Sequence, residues 1–157
     1  MLNAWWVQFS EFQDLLTLIV NYVKLINQIA WGNITMKTVL VVDDSRIMRN
    51  IVKNTFSELK IPCQFLEAEN GAKAYHLLET NRVSIIFLDW NMPEMDGMQF
   101  LKRVRSMPDY NKLPIIMITS EAARYNVVEA LQNGATDYIV KPVHERIFKE
   151  KVSEIQF

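Results

Sequence analysis

The chain has 157 residues, half of them apolar and 22% charged, with a formal net charge of -1; that is enough for one substantial core and a short appendage. No basic excess or basic stripe is present, which argues against a nucleic-acid partner. Cys63 is the only cysteine, which excludes an intrachain disulfide and a thiolate metal cluster and points to a reducing cytoplasm.

Residues 1–35 hold three of the four tryptophans (Trp5, Trp6, Trp31) and three charged residues, Glu11, Asp14 and Lys24. Leu15, Leu16, Ile19, Val23, Ile26 and Ile29 recur at helical spacing, so an amphipathic helix is predicted over Leu15 to Ala30. Asn21, Lys24, Asn27 and Gln28 interrupt it and rule out a transmembrane span. No basic residue precedes the apolar part and no small-x-small cleavage site follows it, as a secretory signal would require. The segment is read as a packing or self-association element, a membrane-surface helix, or an extension ahead of a domain that starts at Met36. Its single lysine disfavours the membrane reading.

From Met36 the pattern changes. Thr38 to Val42 is a β-branched strand ended by Asp43-Asp44-Ser45, good helix initiators, after which Ile47, Met48, Ile51, Val52 and Leu59 follow helical spacing to Lys60. Ile61-Pro62 is read as the stop. Gln64 to Ala68 is a second strand, Asn70-Gly71 a turn, and Ala72 to Glu79 a short helix. Val83 to Leu88 is an uninterrupted apolar strand that gives way to Asp89, then to Asn91-Met92-Pro93 and Asp96-Gly97. Gly97 to Arg105 is a third helix, Pro114 to Thr119 a fourth strand, and Ala122 to Gln132 a fourth helix stopped by Asn133-Gly134. Tyr138 to Val140 is the fifth strand and Pro142 to Ile155 the terminal helix. Strands alternating with helices require parallel pairing and right-handed crossovers, hence a doubly wound α/β sheet covered on both faces.

Ligands bind outside the carboxyl ends of the strands in such a sheet. Those ends carry Asp43 and Asp44, Asp89, Thr119, and Lys141 before Pro142. Each has a plainer reading alone: an Asp pair caps helices, a threonine favours strands, a lysine sits on the surface. The plain readings predict no common location, whereas these residues all fall on strand tips. Three adjacent carboxylates need a cation, and Mg2+ with oxygen ligands is the expected one. With that charge offset, Asp89 becomes a nucleophile toward phosphorus, with Lys141 and Thr119 available to the phosphoryl oxygens. His76 and His144 lie far apart and are read as surface or helix-end residues.

Residues 36–157 resemble the receiver domain of two-component response regulators. The resemblance rests on Val41-Val42-Asp43-Asp44-Ser45, Asp89 to Gly97, Ile118 to Ala122, and Asp137-Tyr138-Ile139-Val140-Lys141-Pro142; the stretch from Asp89 to Gly97 is most similar to the chemotaxis regulators of that family. It implies a flavodoxin-like five-stranded parallel sheet in the order 2-1-3-4-5 with five helices, preceded here by the amino-terminal amphipathic helix. It implies that Asp89 is the phosphoacceptor and that Mg2+ is held by Asp44, Asp89 and the backbone carbonyl of Asn91, with Asp43 acting through water. Thr119 and Lys141 would stabilise the phosphoryl group, Thr119 and Tyr138 would form the switch pair, and Asn91 and Glu121 would tune dephosphorylation. The implied protein is not an enzyme with an external substrate. It is a cytoplasmic phosphoacceptor with a histidine kinase as donor and a protein output partner, such as a flagellar motor switch or a phosphatase. No output domain is expected after the receiver, because the sequence ends two residues beyond Ile155. The alternative is a metal-dependent phosphatase with an aspartyl nucleophile; such enzymes place the nucleophile on strand one under a cap domain, for which there is no room here.

Overall fold

The computed structural model describes residues 17–23, 36–120 and 124–155. The chain divides into two units, Met1–Thr35 and Met36–Phe157. In the first, residues 17–23 are helical, with Leu18, Ile19, Val20, Tyr22 and Val23 all exposed; the rest of the predicted helix lies outside the described residues. No described helix is long and apolar enough to cross a membrane.

The second unit alternates strand and helix: β1 (Lys37–Val42), α1 (Arg46–Glu58), β2 (Cys63–Ala68), α2 (Gly71–Thr80), β3 (Ile85–Asp89), α3 (Gly97–Arg105), a 3-10 turn (Pro108–Tyr110), β4 (Ile115–Thr119), α4 (Arg124–Gln132), β5 (Asp137–Val140) and α5 (Glu145–Glu154). All pairings are parallel, in the order β2-β1-β3-β4-β5, the flavodoxin-like order that the resemblance implied. Strand side chains alternate between faces, so each strand feeds two cores. Leu40, Val42, Ile86, Leu88, Ile115 and Met117 pack against Leu78, Phe100, Leu101, Val104 and Ala130 of α2, α3 and α4. Val39, Val41, Ile85, Phe87, Ile116 and Ile118 pack against Val52, Phe56, Phe148 and Val152 of α1 and α5. In this second core Phe65, Phe56, Phe87 and Phe148 meet edge to face, with successive centroids 5.6, 5.7 and 5.5 Å apart. Burying each such side chain contributes about 1.5–3 kcal/mol, so both helical layers are firmly seated on the sheet.

Several boundaries differ from the expected ones for local reasons. α1 stops at Glu58 because Lys60 takes a left-handed conformation, φ 55°, while Ile61 N–H donates to the Phe56 carbonyl at 3.1 Å; Ile61-Pro62 comes after the stop. Asn70-Gly71 is a helix start as well as a turn, since Asn70 Oδ1 accepts from Lys73 N–H at 2.8 Å and Gly71 opens α2. β3 extends through Asp89 instead of ending at Leu88. α5 starts at Glu145, with His144 at its N-cap, three residues after Pro142. Gly134 stops α4 as predicted, at φ 94°, and the predicted start at Ala122 lies outside the described residues.

Candidate functional site

Register brings the strand tips level. Val42 pairs with Leu88, Asp89 with Ile118, and Thr119 with Val140, so Asp43, Asp89, Thr119 and Lys141 emerge along one edge of three adjacent strands and the neighbouring β5. Ser45 takes over the helix-capping role that an Asp pair often has, its Oγ accepting from Met48 N–H at 3.4 Å. The two aspartates are thereby left for other chemistry. Asp43 is nearly buried, at 3% exposure, and Asp89 at 4%; Asp44 is exposed. One carboxylate oxygen from each of the three lies within 4.8 Å of the others.

Lys141 closes this cluster. Its Nζ donates to Asp43 Oδ2 at 3.0 Å and to Asp89 Oδ1 at 2.8 Å, while its backbone N–H donates to the Thr119 carbonyl at 2.7 Å. Burial raises the Asp89 carboxyl above its ordinary value against the pull of the Lys141 hydrogen bond, and the Asp43 charge adds to the rise. Burial draws the Lys141 ammonium down, but its hydrogen bonds to Asp89 and Asp43 prevail and leave it raised. The lysine is thus held charged between two buried carboxylates.

Thr119 ends β4 and is buried. Tyr138 is half-buried on β5 and packs against the core on the α2, α3 and α4 side, with Lys151 Nζ 5.9 Å from its ring centroid. Asn91 is exposed two residues beyond Asp89, Trp90 is half-buried between them, and Glu121 lies outside the described residues. His76 is exposed against Glu79, and His144 is exposed at the start of α5.

Two features escaped sequence reasoning. Gly97 lies against the Asp89 backbone so closely that a Cβ there would fall 2.0 Å from the Asp89 carbonyl oxygen. Arg49 reaches the Asp43 carbonyl, with Nη1 donating at 2.7 Å.

A 2-1-3-4-5 parallel sheet with an acidic cluster and a lysine at its carboxyl edge defines a receiver domain. Residues 39–153 match the family of the response regulator receiver domain, and the chain belongs to that family. Among curated relatives it is similar to the "Chemotaxis protein CheY homolog" of Campylobacter jejuni, 45% identical over 117 residues that cover 74% of this chain and 89% of that protein. It is equally similar to "Chemotaxis protein CheY1" of Helicobacter pylori, at 45% identity over 74% of this chain and 94% of that protein. Among solved structures, the chemotaxis response regulator CheY4 of Vibrio cholerae superposes with a TM-score of 0.70 at 32% identity, covering 78% of this chain and all (100%) of that one. This protein is therefore a receiver-domain response regulator with chemotaxis homologues, a signalling protein of two-component systems.

Proposed function

We propose that the protein accepts a phosphoryl group on Asp89 from a histidine kinase in the cytoplasm and controls a protein partner, in chemotaxis, through its α4-β5-α5 face. The observation that carries this reading is the Lys141 ammonium between the Asp43 and Asp89 carboxylates. In the transfer, an Asp89 carboxylate oxygen attacks phosphorus and forms a P–O bond. The P–N bond to the kinase histidine breaks, and the leaving imidazole keeps the electron pair and takes a proton. Lys141 then has an ammonium proton for a phosphoryl oxygen, and Thr119 on the adjacent strand tip has a hydroxyl for another. The protein is a stoichiometric acceptor, not a turnover enzyme.

The cluster suits a hard divalent cation. Three carboxylates against one ammonium leave a formal excess of two negative charges, with the oxygens within 4.8 Å of one another and Asp44 open to solvent. Asp44 and Asp89 with the Asn91 backbone carbonyl would hold Mg2+, Asp43 acting through water. When bound, it would supply charge neutralisation for the carboxylates and the phosphoryl oxygens. Thr119 and Tyr138 form the switch pair: the hydroxyl moves toward the phosphoryl group and the ring turns inward, altering the surface around β5. Asn91 and Glu121 tune hydrolysis toward a short-lived phosphoryl state. The output partner is a protein, a flagellar motor switch or a phosphatase, and the chemotaxis names of the relatives support a role in that pathway.

Incubation with acetyl phosphate and Mg2+ followed by intact-mass measurement tests the reading. Wild type is expected to gain one labile phosphoryl group and Asp89→Asn none. No gain in wild type, or the same gain in the variant, would refute it. Steady hydrolysis of an external phosphomonoester would favour the phosphatase alternative.

A further inference from the structure

Asp43 is fastened at each of its polar atoms. Its N–H donates to the Ala68 carbonyl at 3.0 Å, Oδ1 accepts from Ser45 N–H at 2.8 Å, and Oδ2 accepts from Lys141 Nζ at 3.0 Å. Its carbonyl accepts from Arg49 Nη1 at 2.7 Å, and the same nitrogen stands 3.4 Å from the Asp44 carbonyl. The guanidinium is itself pinned from the neighbouring strand: Nε donates to Glu67 Oε2 at 2.9 Å, and Lys53 Nζ holds the other Glu67 oxygen at 2.6 Å. The Arg49 side chain is only 15% exposed. Arg49, Lys53 and Glu67 have no part in the phosphoryl chemistry above.

We infer that Arg49 is a positioning residue for the cation site. Braced by Glu67 on β2, its planar fork holds the backbone of the Asp43-Asp44 turn so that both carboxylates face Asp89. Asp44 depends on this most, because its side chain is in solvent and its direction is set by the turn that carries it. The inference rests on the reading of Asp43, Asp44 and Asp89 as a Mg2+ site.

The sign of the effect separates positioning from simple charge. A guanidinium near a cation site repels the cation, so if Arg49 acted only as a charge its removal would tighten Mg2+ binding. If it positions the turn, removal weakens binding. Lysine keeps the charge but lacks the two-edged fork that engages Glu67 and a carbonyl together.

The experiment titrates full-length wild type, Arg49→Lys and Arg49→Ala with MgCl2 by calorimetry, below the melting temperature of each metal-free protein. Arg49→Ala is expected to raise the Mg2+ Kd about tenfold or more, as loss of a group behind the metal ligands does; Arg49→Lys is expected to fall between it and wild type. An unchanged or lower Kd in Arg49→Ala overturns the inference, even with a lowered melting temperature, since that is the mark of a purely structural role. Should Arg49→Ala not fold, Arg49→Lys decides, and a wild-type Kd there overturns it. Absence of Mg2+ binding by wild type overturns the cation reading and the brace together, whereas normal binding by wild type with an unshifted Arg49→Ala overturns the brace alone.

Discussion

Lys141 faces two carboxylates that are almost wholly buried, and its own side chain is 22% exposed. Replacing it with methionine strands Asp43 and Asp89 beside each other without a counter-charge. Removing one partner of a buried ion pair costs about 3–5 kcal/mol, so in metal-free buffer Lys141→Met is expected to lose about 3 kcal/mol in urea unfolding. The double variant Lys141→Met, Asp89→Asn is expected to recover most of that loss, because one of the two charges is gone. Additive losses would show that the three groups are not coupled. Asp89 was legible in the sequence because an apolar run ends there in a carboxylate, and Lys141 because it closes a strand before proline. Arg49 was not, because its partners are a backbone carbonyl and a glutamate on β2, and neither leaves a pattern in the residues around it.

The segment between β3 and α3 is built to keep the Asp89 tip in place. Asp96 caps α3 with a reciprocal box, Oδ1 accepting from Gln99 N–H at 2.8 Å and Gln99 Oε1 accepting from Asp96 N–H at 3.1 Å. Gly97 N–H donates to the Trp90 carbonyl at 2.9 Å, folding the loop back onto the strand end. Because a Cβ at Gly97 would overlap the Asp89 carbonyl, Gly97→Ala must push the helix start and the strand tip apart. A loss of about 2–3 kcal/mol is expected from that overpacking, with slower phosphoryl uptake; wild-type urea stability would contradict the close approach. The range of α3 was legible to the residue because Asp96-Gly97 and the apolar period agree. The turn over Pro108–Tyr110 was not, since one 3-10 turn has no period. It is tied down instead by Arg105, whose guanidinium donates to the carbonyls of Gly134, Tyr110 and Leu113, each at 2.7 Å. That is a long-range contact without a sequence signature.

At the scale of the molecule, a five-stranded sheet with a core on each face is complete between Met36 and Phe157. A chain beginning at Met36 is therefore expected to melt in one cooperative transition and to take up phosphoryl groups at the wild-type rate. Aggregation or loss of the transition would give residues 1–35 a part in folding. Parallel pairing was legible from the alternation of strand and helix, but strand order was not, because periodicity carries no information about which strands are neighbours; the family resemblance supplied it. The central claim is that Asp89, of the three clustered aspartates, is the one that carries the phosphoryl group. Trapping the acyl phosphate with borohydride after exposure to acetyl phosphate and Mg2+, then sequencing the peptides by mass spectrometry, tests it most directly. The account predicts reduction at Asp89 alone; reduction at Asp43 or Asp44, or at no aspartate, would contradict it.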